Sequence, residues 1–303
     1  MSLDANANRF SGFADLYDAV RPVPPTVLAD VITRYAAREL PAVVVDLGCG
    51  TGLSTRWAAS WAAHVIGVEP SDDMRVRAAA VTDLPNVQYV AGWSNAADLA
   101  DGSADIVLAV QALHWMEPSS TFTEVARILR PGGVFAALDC DWPPSIGNAA
   151  AEQAWHTARA TVDVHERKMS GWASDSVATR SSSSSPQTDE LRPTNAGDPA
   201  AAVTITDGVQ FWHKGEHLGR MVASQQFQHC VEISALGEER GDADRFVRLF
   251  QSQGDYQALR RHGLDDATLG VDKFSDEVHE ILGSGGHPFW FTYWARIGVR
   301  PNG

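Results

Sequence analysis

Five short apolar runs set the rhythm of the first half of the chain: Val43–Val45, His64–Val68, Asn86–Ala91, Asp105–Val110 and Val134–Leu138. Each is nearly continuous rather than alternating, which is the pattern of a strand covered on both faces. Between them, Leu53–Ala63, a segment from Ser71 or Asp72 to Val81, and Phe122–Leu129 read as helices, and Thr26–Glu39 leads into the first strand with Val27, Leu28, Val31 and Ile32 at helical spacing. Further upstream, Phe10, Phe13, Tyr17 and Val20 recur at intervals of three and four residues and predict an amphipathic segment that stops at Pro22. Strands that alternate with helices in this way predict an α/β fold with a doubly wound parallel sheet.

The second half is patterned differently. Ala149–Lys168 reads as a helix, and Ser170–Ala202 then combines a five-serine run with prolines and small polar residues, which predicts a mobile linker or a lid-like loop. Thr204–His217 fits a short strand or hairpin with Trp212 and His213 near its tip, and Gly219–Ser234 has extended character around Cys230–Ile233, a sixth strand. Asp242–Arg261 is a strong helical pattern with Phe246, Leu249, Phe250 and Leu259 on one side and Gly263 beyond its end. Ser275–Leu282 is a shorter helix, and Pro288–Val299 alternates well enough for a closing strand.

The chemistry concentrates after the first strand, where Gly48-Cys49-Gly50-Thr51-Gly52 forces a turn with almost no side chains, so that backbone can approach a ligand closely. The following helix points its first amides back into that turn, and the next strand ends in Glu69, placed to accept both hydroxyls of a ribose. Strand, glycine turn, helix, strand and acid form a nucleoside-binding βαβ unit. The glycines fall at 48, 50 and 52, with Leu53 where the dinucleotide fingerprint has its last glycine, so the spacing departs from the NAD pattern. Asp46 would sit badly beside a pyrophosphate and well beside an ammonium group. These residues resemble motif I of the class I S-adenosylmethionine-dependent methyltransferases, and Glu69 matches the acid of the following motif.

That resemblance implies a Rossmann-like, mostly parallel seven-stranded sheet whose last two strands form an antiparallel hairpin at its edge, with a helical cap inserted late in the chain. It divides a single domain into an N-terminal helical lid (1–35), a cofactor-binding core (36–145), a cap insertion (146–286, with the serine-rich loop 170–202) and a closing edge strand (287–303). The cofactor implied is S-adenosyl-L-methionine, leaving as S-adenosyl-L-homocysteine. Asp46, Gly48, Cys49, Gly50, Thr51, Gly52, Glu69 and Pro70 then belong to its site, and Met74 either faces the adenine or is core. Tyr17, Arg21 and Pro22 match an N-terminal Tyr-x-x-x-Arg-Pro segment, which implies that Arg21 pairs with the methionine carboxylate and Tyr17 faces the transferable methyl. Phe10 joins Tyr17 on the substrate side. The adenine-binding acid of the family is missing from Gly92–Ala96, so Ser94 or Asn95 takes its place. Gln111-Ala112-Leu113-His114-Trp115 resembles the element bordering the cofactor methyl. It makes Gln111 a cofactor contact, Trp115 a contact for both ligands, and His114 either catalytic or structural. Asp139 is a candidate base, and Trp290 belongs to a late aromatic cap around the substrate. Asp141-Trp142-Pro143-Pro144 comes one strand too late for the motif of nucleic-acid amino-methyltransferases and reads as a turn. Leu129-Arg130-Pro131-Gly132-Gly133 before a buried strand extends the resemblance to about residue 142.

Charge and cysteine content narrow the partners. The chain has 303 residues, a formal net charge of -14 and three cysteines without paired spacing. An acidic chain repels nucleic acid and anionic membrane, and unpaired cysteines fit a reducing cytoplasm. Met1–Phe10 is polar and no apolar run is long enough to cross a bilayer, so a soluble cytoplasmic protein is expected. Methyl transfer from a sulfonium is a direct displacement that needs alignment rather than a metal. The expected reaction is N-methylation of a small secondary metabolite, the nearest resemblance being to the lincosamide antibiotic N-methyltransferases, which form homo-oligomers. The alternatives are O-methylation of a small carboxylate or hydroxyl compound, as in the aconitate methyltransferases, and a cofactor-binding module without turnover. An NAD-dependent oxidoreductase is disfavoured by the glycine spacing.

Overall fold

The apolar runs do become adjacent strands. The computed structural model describes residues 4–169, 203–204 and 208–302, and the expected serine-rich loop at 170–202 lies outside them. Five strands lie parallel: β1 (Val43–Leu47), β2 (His64–Val68), β3 (Val87–Val90), β4 (Ala104–Val110) and β5 (Leu129–Cys140). A two-residue pair, β6 (Val203–Thr204) with β7 (Gln210–Phe211), stands apart. The sheet is completed by β8 (Cys230–Gly241) and β9 (His287–Val299) in the order β3-β2-β1-β4-β5-β9-β8, the last two antiparallel to their neighbours. The order reverses between β1 and β4, the switch point outside whose carboxyl ends ligands bind in such sheets.

The closing strand is not at the edge. β9 runs between β5 and β8, and it buries four consecutive residues, Ala295 to Gly298, as an inner strand must. The edge falls to β8, much longer than the short strand its sequence announced because its partly exposed face carries few apolar residues. Arg130–Gly133, expected as a turn, is instead absorbed into β5, with the register against β4 shifting between Ala104 and Ile106.

The helices are α1 (Asp4–Asn8), α2 (Ala14–Val20), α3 (Thr26–Tyr35), α4 (Leu53–Ala58), α5 (Asp72–Ala80), α6 (Pro118–Ile128), α7 (Ala149–Met169), α8 (His217–Ala223), α9 (Ala243–Gln251), α10 (Gly254–Arg261) and α11 (Val271–Leu282). α6 starts a turn earlier than its apolar pattern, with Pro118 at its first position and the Glu117 carboxylate accepting from the Ser119 and Ser120 amides. The single helix expected over 242–261 is broken before Gly254, where a Cβ would lie 2.8 Å from Arg9 Nε. In the late layer α7 packs on α10 and α11, and α9 on α11 and α2. Trp155 of α7 seals this layer, its ring 5.1, 5.0 and 6.1 Å from those of Phe246, Phe250 and Phe274. The N-terminal elements are thus fastened between the sheet's carboxyl edge and a helical layer supplied from the far end of the sequence.

Candidate active site

A cleft opens over the carboxyl ends of β1, β2 and β4. Its floor is the glycine turn. Gly48 has φ of +67°, and a Cβ there would lie 2.7 Å from Met116 Cε and 2.9 Å from Ala112 Cβ, so the turn and the segment after β4 interlock only without side chains. Gly52 begins α4 at φ of +81°, with the Tyr89 hydroxyl occupying the space a side chain would need.

Glu69 is the acidic wall of the cleft. Its Oε2 accepts from the Gly50 amide and its Oε1 from the Ser71 amide, both at 2.9 Å, which fixes the carboxylate between the turn and the start of α5. Burial raises its pKa, opposed by those two amides. A rigid, partly desolvated carboxylate beside a stripped backbone turn suits a vicinal diol, whose hydroxyls take its remaining lone pairs. Pro70 and Met74 continue this wall, and Trp93 and Ser94 face the cleft after β3.

The opposite wall is aromatic. Phe10 sits 5.7 Å from Trp115 and 6.1 Å from Tyr17, ring centroid to centroid, and the Arg21 guanidinium lies over the rings of both Tyr17 and Trp142 at 4.7 and 4.6 Å. Arg21 donates from Nε to Ser252 Oγ at 2.9 Å and from Nη2 to the Ser252 carbonyl at 2.6 Å. Asn6 closes the top: its Nδ2 donates to the carbonyls of Trp115 and Gln210 at 2.7 and 2.8 Å, and its Oδ1 accepts the Gln210 amide at 2.8 Å.

Most sequence-derived site residues meet here: Phe10, Tyr17, Arg21, Gly48, Cys49, Gly50, Thr51, Glu69, Pro70, Met74, Ser94, Gln111 and Trp115 all line the cleft. Six others do not. Asp46 is fully buried behind the turn, where its Oδ2 accepts from Ser54 Oγ and Thr55 Oγ1, each at 2.7 Å, so it fastens the start of α4 rather than facing an ammonium group. Burial pushes its carboxyl up to about 6, the two hydroxyls opposing. Gly52 shapes the turn from behind, and Asn95 is exposed at the tip of the Trp93–Ala96 turn. Ser94 reaches the cleft, but its hydroxyl is paired with Thr121 Oγ1 at 2.8 Å. Trp290 pairs with Ser145 across the sheet end, away from the lining.

His114 and Asp139 lie one layer beneath the aromatic wall. His114 Nδ1 is 3.2 Å from Asp139 Oδ1; Arg296 Nη1 donates to Asp139 Oδ2 at 2.9 Å, and His217 Nε2 lies 3.8 Å from the same oxygen. Burial, reinforced by Lys214, lowers His114 to about 4, and burial lowers His217 to about 3, so both are neutral at neutral pH. Burial alone would raise the Asp139 carboxyl, but Lys214 and the two histidines hold it well below the usual carboxylate range. The donor atoms of His114, Asp139 and His217 lie within 4.8 Å of one another, as metal ligands would. Arg220 Nη1, which can only donate, faces His217 Nδ1 at 3.4 Å, which puts the His217 proton on Nε2, the atom a metal would need. With Arg296 and Lys214 also on Asp139, the trio is built as an ion-pair hub.

Several cleft residues carried no readable sequence signal. Asn6 and Trp93 belong to segments without distinctive pattern. Trp142, read as part of a turn, lies two residues beyond a buried strand at the end of the sheet where ligands bind, and that position was the usable clue.

A doubly wound sheet with this strand order, a glycine turn after β1 and a fixed acid after β2 is the arrangement implied by the resemblance to class I S-adenosylmethionine-dependent methyltransferases. Residues 45–137 match the family model described as a methyltransferase domain. Over 126 residues the chain is 37% identical to an uncharacterised methyltransferase of Mycobacterium bovis, covering 41% of this chain and 49% of that protein. It is 31% identical over 125 residues to a Saccharomyces cerevisiae protein named for S-adenosylmethionine-dependent methyl transfer, covering 40% and 43%. The chain thus matches about half the length of these relatives. A solved structure from Anaeromyxobacter dehalogenans, described as a type II methyltransferase, aligns over 93% of this chain and 99% of that one with a TM-score of 0.56 and 19% identity, a likeness of fold.

Proposed function

We propose that the protein transfers the methyl group of S-adenosylmethionine to a small molecule, an amine nitrogen of a secondary metabolite such as an antibiotic precursor. The observation that carries the methyl-donor part is Glu69, held by the Gly50 and Ser71 amides at the rim of a turn that side chains cannot fill. The cofactor supplies an activated methyl, and the protein's work is to align it and keep water out. In this reading Tyr17 lies face-on to the sulfonium end and fixes the approaching nitrogen, while Phe10, Trp115 and Trp142 exclude solvent. An amine needs no strong base, which suits a cleft with no histidine among its described lining residues. His114 is neutral and buried beneath Trp115, where it meets Asp139 and backs the wall without touching the acceptor.

The N-terminal segment through Pro22 acts as a lid on this reading, with the late helices as its seat. The charge of -14 favours a neutral or cationic acceptor over nucleic acid or an anionic membrane, and the three free cysteines suit a reducing compartment. Homo-oligomer formation belongs to the same proposal. Among the described residues no helix is long and apolar enough to cross a membrane. Labelled methyl transfer to a panel of amine-bearing and hydroxyl-bearing natural products tests the acceptor class. Tyr17→Phe is expected to slow turnover at least tenfold while binding S-adenosylhomocysteine normally; transfer only to hydroxyl acceptors would overturn the nitrogen assignment.

A further inference from the structure

A cation from the late half of the chain, Lys214 in the short 3-10 turn Lys214–Glu216 before α8, reaches a residue that lines the cleft. Its Nζ donates to Gln111 Oε1 at 3.1 Å and lies 3.6 Å from Asp139 Oδ1. A lysine ammonium has three donors and no lone pair, so it can donate only to the oxygen end of a carboxamide, which fixes the way Gln111 points. Gln111 Nε2 is left buried with no hydrogen-bond partner, on a residue that lines the cleft. The backbone of Gln111 is held at φ of +53°, a conformation that costs a non-glycine residue free energy and persists where the surroundings dictate it. An oriented, unpartnered donor on a strained residue at the carboxyl end of β4 is a site awaiting an acceptor.

The sheet order says which part of the cofactor that acceptor belongs to. Glu69, the ribose acid, ends β2; β4 lies on the other side of β1 from it. A nucleoside with its ribose over β2 and its base toward Trp93, after β3, extends its amino-acid arm over the glycine turn toward β4. Arg21, the residue expected to take the carboxylate, already gives Nε and Nη2 to Ser252. We infer that Gln111, oriented by Lys214, is the donor that reads the carboxylate of the cofactor's amino-acid arm, and that Lys214 is a positioning residue for it. This rests on the methyltransferase reading above. Lys214 also biases the potential of that end of the cleft toward an anion.

The test compares two ligands by calorimetry on the full chain: S-adenosylhomocysteine, which carries the arm, and 5′-methylthioadenosine, which lacks it. Lys214→Met and Gln111→Leu are each expected to weaken S-adenosylhomocysteine by about tenfold, as for loss of one hydrogen bond to a charged group, and to leave methylthioadenosine within twofold. Lys214→Arg keeps a donor without an acceptor and is expected to retain most of the preference. The double variant should lose little more than either single one, because both act on the same bond. An unchanged preference in both single variants, or equal losses of the two ligands at an unchanged melting temperature, overturns the inference alone. A wild-type protein that binds neither ligand overturns the methyltransferase reading and takes this inference with it.

Discussion

Replacing Glu69 with Gln removes a charge while keeping shape, and the two amides at the carboxylate determine the effect. Each carboxylate oxygen accepts one backbone amide, from Gly50 and from Ser71, at 2.9 Å. A carboxamide has one acceptor end and one donor end, so in either orientation its NH2 faces a backbone N–H that needs an acceptor. The ribose diol meets the same mismatch and loses at least one hydrogen bond to a charged group, about 1.5–3 kcal/mol, or about 10–150-fold in affinity. Stability responds differently. Burial raises the Glu69 pKa, so in the ligand-free protein the charge is itself costly, and neutralising it offsets part of the loss at the turn. Titration of Glu69→Gln with S-adenosylhomocysteine, paired with thermal melts, should therefore give a large loss of affinity and a small change in melting temperature. Wild-type affinity within threefold, in a variant that melts normally, would refute the placement of the ribose at Glu69.

Three other outcomes can be derived from the geometry. His114 and His217 have pKa values lowered from 6.5 to about 4 and about 3, so the unfolded chain takes up their protons first. Their contribution to stability is present above the unfolded value and is lost as pH falls below about 6.5, at about 1.4 kcal/mol per pH unit for each group. Asp46, raised to about 6, acts in the opposite sense between its unfolded value of 3.8 and 6. His217→Gln should therefore flatten the acid limb of stability, measured by denaturant melts between pH 4 and 6.5; an unchanged slope contradicts the burial argument. Gly52→Ala places a Cβ at φ of +81° against the Tyr89 hydroxyl and should cost about 1–3 kcal/mol, seen as a lower midpoint in urea, with part of the loss recovered by Tyr89→Phe. Asn6→Ala removes three hydrogen bonds that tie α1 to Trp115 and Gln210, about 1–3 kcal/mol in all, and should speed amide exchange in α1 well before the sheet; exchange at the wild-type rate would show that α1 is held by other contacts.

The sheet was legible because continuous apolar runs leave few choices: β2 and β4 came within a residue of their observed bounds, and β1 began where its three valines begin. The glycine turn and Glu69 were legible for the same reason, since each is needed at a fixed offset from a strand end. Tertiary pairing was not legible. Pro288–Val299 alternates like an edge strand at its start, and only its partner β8 makes it an inner one. Asp46 shows the same limit at the site, because a carboxylate before a glycine turn serves a ligand or a helix start equally well until Ser54 and Thr55 are seen to hold it. His114 shows it again: the sequence left it catalytic or structural, and the structure sets it beneath Trp115 in a hub completed by Lys214, His217 and Arg296, residues that lie from 100 to 182 positions downstream.

Whether the glycine turn and Glu69 hold an amino-acid nucleoside is decided by calorimetric titration of the purified protein with S-adenosylhomocysteine, with NAD as the comparison ligand. A site of this shape and charge should give saturable binding of S-adenosylhomocysteine at about micromolar affinity and none of NAD. Binding of NAD alone would contradict the reading of the glycine spacing and of the methyl-donor site built on it.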